Sequence, residues 1–164
     1  DRPVSGLVLF AKTSKALSRM NELFRTKSIQ KTYWAIVENA PLKAHGTLEH
    51  YLIKNQQKNK SKAYLKPHNG ALKAILHFKT LKYLDRYTLL EINPISGRHH
   101  QIRVQLSTIN SIIKGDLKYG AKRSNKDKSI CLHAREINFV HPIKKEMITI
   151  CAPAPKNQIW KACL

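Results

Sequence analysis

Between Lys31 and Cys151 the sequence runs almost wholly in strand-forming blocks, and this restricts the fold more than any other feature. Lys31–Val37 (KTYWAIV) is aromatic and β-branched, a composition that suits a pleated, half-buried surface. Gly46–Ile53 is expected as another strand, and Gln56–Lys66 as an exposed basic loop leading into one. Leu72–Tyr83 and Tyr87–Ile92 flank Leu84-Asp85-Arg86 and predict a long hairpin. Ser129–Ala134, Glu136–Val140 and Glu146–Cys151 complete the run, with His141-Pro142 at a turn. Leu7–Ala11 is expected as a buried strand at the start. Only two helices fit. Thr13 or Ser14 can cap the first, whose Leu17, Met20 and Phe24 share a face expected to pack on the core. Gly97 opens the second, in which Ile102, Leu106 and Ile109 share a face. A doubly wound parallel sheet would need a helix between nearly every pair of strands. The predicted class is therefore α+β. A mixed, mainly antiparallel central sheet with a few flanking helices is expected, in one domain over residues 1–164.

The charge then limits the partners. Thirty Lys+Arg against ten Asp+Glu give a formal net charge of +20, while the apolar fraction of 42% is ordinary for a globular chain. Such an excess raises the energy of a compact state by self-repulsion, so a polyanion is expected to offset it. A membrane is the poorer choice: no apolar run approaches the ~20 residues of a spanning helix, and the cations do not follow one amphipathic helix. Nucleic acid is the expected partner. Cys131, Cys151 and Cys163 are odd in number and far apart, which suits a reducing, cytoplasmic setting. No signal peptide is expected. A P-loop, a GxGxxG turn, an HExxH pair and a GxSxG elbow are all missing, so neither a cofactor nor a metal is expected.

One segment stands out chemically. In Ser96–Leu106 (SGRHHQIRVQL), Arg98, His99, His100 and Arg103 cluster at the start of a helix whose other side is apolar. Cations at a helix N-terminus are unfavourable by themselves and make sense beside a bound anion. By composition alone, a solvated helix start explains the segment equally well.

With its neighbours, the segment carries a resemblance. The chain resembles the catalytic domain of RluA-type RNA pseudouridine synthases. Asp1-Arg2-Pro3-Val4-Ser5-Gly6 matches the second half of that family's HRLDxxTSG motif, and Lys31–Val37 its KxYxAxV strand. Ser96–Leu106 matches TGRTHQIRVHL, Gly115–Gly120 the GDxxYG loop, Ile130–Ala134 the LxLHA strand and Phe139–Pro142 the FxHP turn. The blocks occur in family order over nearly the whole chain. Val4 stands where the family has Thr, His99 where it has another Thr, and Gln105 where it has His.

The resemblance implies the pseudouridine synthase fold and isomerisation of uridine to pseudouridine in structured RNA, with no cofactor. It implies Asp1 as the nucleophile, acting at C1′, at C6 or on departure of the base. Arg103 would keep Asp1 charged, Tyr33 would stack on the flipped uracil, and Leu132 would supply an apolar wall. Arg2, Arg98, His99 and His100 are expected to hold substrate. Lys54, Lys58, Lys60, Lys122 and Arg123 are expected along the RNA backbone, where contacts position without reading sequence. Ribosomal RNA is expected over transfer RNA, and a monomer over an oligomer. The family's arginine two positions before the aspartate would precede residue 1, as would the S4-type domain often found there. The 164 residues alone are therefore expected to be weakly active or inactive. A non-catalytic basic RNA-binding module and a ribosome-associated protein are the competing expectations.

Overall fold

The computed structural model describes residues 1–164. Eight strands form one sheet: β1 (Ser5–Gly6), β2 (Gln30–Val37), β3 (His45–Asn55), β4 (Lys60–Tyr64), β5 (Leu72–Tyr83), β6 (Thr88–Pro94), β7 (Leu132–Val140) and β8 (Met147–Cys151). Three helices accompany them, α1 (Ser14–Arg25), α2 (Gln101–Thr108) and α3 (Gln158–Cys163). The order across the sheet is β1-β7-β2-β6-β5-β3-β4, with β8 also on β7. Every pairing is antiparallel except β1 with β7. The structure thus has the α+β class and the mixed, mainly antiparallel sheet expected from the strand-rich sequence.

The core is a consequence of strand alternation. Successive side chains point to opposite faces. Ala35, Ile36 and Val37 in β2 are all buried, as are Leu89 and Leu90 in β6, so both faces of the central strands are covered. Leu132 and His133 separate the two sides. Leu132 lines a cleft with Ile102 and Arg103 of α2, whereas His133 meets Trp160 of α3 edge-on at 5.7 Å. The α3 helix, not foreseen in the sequence, is capped by Asn157, whose side chain accepts from the Trp160 amide at 3.2 Å.

Polar side chains seat α2 as firmly as apolar ones, which corrects the expected apolar far side. Gln101, Arg103 and Gln105 are buried along with Ile102, Val104 and Leu106. Gln105 Nε2 donates to the Leu48 and Ala74 carbonyls at 3.0 and 3.2 Å. Gln101 Nε2 donates to the Ile75 carbonyl at 3.0 Å, and its Oε1 accepts from Ser96 Oγ and the Arg98 amide, both at 2.9 Å.

Several expectations fail for non-local reasons. Leu7–Ala11 is not a buried strand: Val8 and Phe10 are 72% and 83% exposed. One edge of β7 is shared. Residues 133–134 pair with β1, and from Glu136 onward β8 takes the same edge. A bulge at Arg135 separates the two stretches and also joins what the sequence suggests are two strands. With that edge occupied, β1 ends after two residues. The expected core stripe of α1 fails as well. Thr13 does cap the helix, accepting from the Ala16 amide at 3.1 Å, but none of its residues is buried. The expected loop Gln56–Lys66 is shorter, because Lys60–Tyr64 pairs with β3 as β4.

Gly6 sits at this crowded junction with φ +107°, and a Cβ there would collide with the Ala134 carbonyl oxygen. Gly6→Ala is expected to lower stability by at least about 2 kcal/mol, from strain and clash together. Urea unfolding would measure it; an unchanged midpoint would show that the β1 pairing is dispensable.

Candidate active site

The short β1–β7 pairing brings Asp1 across the end of α2. Asp1 Oδ2 accepts from Arg103 Nη1 at 2.8 Å, joining residues 102 apart in sequence. Arg103 is itself clamped from behind. Its Nε and Nη2 donate to Asp116 Oδ2 and Oδ1 at 2.7 and 2.6 Å, a bidentate pair in which Asp116 is 1% exposed. Charge-assisted bidentate bonds of this kind fix both distance and plane. Asp116 lies in the turn before the short helical segment Leu117–Tyr119. The sequence match to the GDxxYG loop covers Asp116 but gave it no role.

His100 completes the cluster. Its Nε2 lies 3.1 Å from Arg103 Nη1, and its Nδ1 lies 2.9 Å from the Tyr119 hydroxyl. The geometry fits a neutral imidazole whose Nδ1–H donates to Tyr119 while Nε2 accepts from Arg103. Burial, then the Arg103 charge, push His100 down to about 4. His100 therefore lines the cleft as a neutral hydrogen-bonding group rather than as a cation. It also adopts the left-handed backbone region, with φ 52°, at the start of α2. Tyr119 in turn accepts the Ser61 amide at 2.8 Å, and Ser61 Oγ donates to the His99 carbonyl at 2.7 Å. The cluster therefore reaches the β3–β4 hairpin.

In front of this cluster lies a cleft of about 210 Å³. Asp1, Tyr33, Arg98, His100, Arg103 and Leu132 all line it, so all three expected catalytic side chains meet in one place. Burial pushes the Tyr33 phenol up, so it is a neutral phenol at physiological pH. Other expected residues lie elsewhere. His99 stacks on His100 at 3.8 Å but turns its Nε2 to Asn59 Oδ1 at 3.0 Å, away from the cleft lining. Arg2 is exposed and outside the lining. Lys54, Lys58 and Lys60 are exposed on the β3–β4 hairpin, and Lys122 and Arg123 beyond Gly120. Lys31, two residues before Tyr33, joins the lining without having been singled out.

The sequence profile of RNA pseudouridylate synthase matches residues 1–108 of the chain. The chain belongs to the RNA pseudouridylate synthase family. It is 37% identical over 161 residues to the ribosomal large subunit pseudouridine synthase C of Buchnera aphidicola, covering 93% of this chain and 50% of that protein. It is 29% identical over 170 residues to the tRNA pseudouridine synthase C of Pectobacterium carotovorum, covering 93% and 45%. The chain thus spans about half the length of these two curated relatives. Among solved structures, human RNA pseudouridylate synthase domain containing 1 superposes with a TM-score of 0.76 at 21% identity, over 93% of this chain and 66% of that one. A pseudouridylate synthase fold therefore carries the Asp1–Arg103–Asp116 arrangement.

Two outcomes follow for this family member. Asp116→Asn takes the countercharge from a buried guanidinium and is expected to lower stability by about 3–5 kcal/mol, read by urea unfolding; a loss below 1 kcal/mol would contradict the clamp. The second concerns pH. The His100 pKa is depressed on folding, so the unfolded chain binds more protons as pH falls below about 6.5. Stability contributed by its neutral state is lost in that window, by about 2 kcal/mol between pH 7 and pH 5 for a folded value near 4. His50, His99 and His133 are lowered as well and add in the same direction. His100→Gln should flatten the profile over this range, and an unaltered slope would remove His100 from the account.

Proposed function

We propose that this chain isomerises uridine to pseudouridine in ribosomal RNA, with Asp1 as nucleophile. The observation that carries the reading is the ion pair of Asp1 and Arg103 at 2.8 Å, beside Tyr33 and Leu132 in one cleft. The choice of ribosomal over transfer RNA leans on the Buchnera relative's name, at 37% identity.

The reaction breaks the N1–C1′ bond, turns the uracil and joins C5 to C1′. C5 loses its proton and N1 ends with one, so atoms balance without a redox partner or phosphate energy. The base must first leave the helical stack. Leu132 then offers it an apolar wall, and the Tyr33 ring a stacking surface of about 1–3 kcal/mol. As a neutral phenol, Tyr33 is suited to relay the C5 proton through its hydroxyl. Arg103 holds Asp1 Oδ2, leaving Oδ1 without a hydrogen bond and free to act at the ribose or the base. The guanidinium is preorganised by Asp116, so no reorientation is needed as charge leaves Asp1 and returns to it. Arg98 and the lysines at 54, 58, 60 and 122, with Arg123, contribute phosphate contacts around the cleft. The three free cysteines suit the reducing cytoplasm that we propose for it, where it acts as a monomer.

Uridine-labelled ribosomal and transfer RNA incubated with the full-length protein tests this. Pseudouridine is expected in the ribosomal RNA. Asp1→Asn, nearly isosteric, should cut product formation on the order of 10³-fold or more with RNA affinity little changed. Equal product from both proteins would sink the assignment of Asp1. RNA binding with no product from either would favour a non-catalytic binding module.

A further inference from the structure

Lys31 is a cation the mechanism above does not use. It lines the cleft beside Tyr33, and the two residues are separated by one strand repeat on the same face of β2, about 7 Å apart. Lys31 is half-buried and forms no ion pair; Arg103 takes Asp1 and Asp116, and no other carboxylate lines the cleft. Its ammonium lies alongside the Gly97 backbone, where a Cβ would stand 3.7 Å from Nζ. The next residue, Arg98, is exposed and donates its Nε to the Lys73 carbonyl at 3.2 Å, so it does not neutralise or replace Lys31. The Phe24 ring stands 5.9 Å from the Lys31 charge, at the outer limit of a cation–π contact. Burial without a countercharge pushes the ammonium down. An anion brought into the cleft would reverse that cost.

We propose that Lys31, beside the Gly97 backbone, forms a phosphate subsite of the cleft that binds a backbone phosphate at the target nucleotide. This rests on the reading of the cleft as an RNA site. The chemistry favours a phosphodiester over a carbonyl of the base. A base lying on the Tyr33 ring is already neutral and stacked, whereas a desolvated ammonium gains most from a full negative charge. The spacing of one strand repeat from the stacking ring matches the reach from a nucleobase to its own backbone. Lys31 is thus a binding residue of the substrate, not part of the bond-making chemistry.

The test measures binding, so that it stands apart from catalysis. Full-length protein carrying Asp1→Asn is titrated with ribosomal RNA fragments over a range of salt. It is compared with the same protein carrying Lys31→Met, Lys31→Arg or Phe24→Ala, each checked for an unchanged melting temperature. One lost phosphate contact should reduce the slope of log affinity against log salt by about 0.7–0.9. Lys31→Met is expected to show that reduction with roughly tenfold weaker binding at low salt, of the size one phosphate contact gives. Lys31→Arg should restore the slope, because a guanidinium also binds phosphate. An unchanged slope in Lys31→Met overturns the subsite. So does a Phe24→Ala protein that reproduces the Lys31→Met loss, since the lysine would then serve only to hold the ring. If Lys31→Met proves unstable, Lys31→Gln gives the same reading. If binding behaves as expected yet no pseudouridine forms with the unsubstituted protein, the subsite stands and the catalytic reading fails.

Discussion

The site depends on one guanidinium shared by two carboxylates of different standing. Asp116 is out of solvent and takes Arg103 with two bonds; Asp1 sits at the cleft and takes it with one. The buried pair fixes where the guanidinium is, and the third bond fixes where Asp1 is. A buried ion pair is weak support for stability, because desolvation offsets much of its attraction. Its value here is placement. Losing either carboxylate would have unlike effects, one on the fold and one on the chemistry.

Around that centre the helix is held by side-chain amides as well as by the buried Ile102, Val104 and Leu106. Gln101 and Gln105 satisfy carbonyls of β3 and β5 at ends of residues that a pattern of apolar spacing would pass over. Each bond is directional, so α2 cannot slide against the sheet as a purely greasy helix could. The rotation that aims Arg103 toward Asp116 and Asp1 follows from this.

Much of this was legible in the residues, and the part that was not has a common cause. The strands from Lys31 onward follow local composition, and Asp1, Tyr33, Arg103 and Leu132 follow from motif blocks; the structure places the four together. Asp116 and Tyr119 lie in the matched GDxxYG block but were given no role, because the motif alone does not show that their side chains point inward. His100 looked like a surface cation because a sequence shows its type and not its burial. The strand expected at Leu7–Ala11 and the apolar stripe of α1 were plausible locally. The strand failed because β8, more than a hundred residues later, occupies the edge it required. Lys31 lay inside a recognised block, but only its lack of a countercharge draws attention to it.

The neutrality of His100 bears on how the guanidinium is shared. Protonated, it would be a second cation beside Asp1, whose Oδ2 lies 3.4 Å from its Nε2. Neutral, it leaves Arg103 as the one cation bonded to both Asp1 and Asp116. A single positive group thus serves two negative ones, inside a molecule whose overall +20 draws a polyanion towards it.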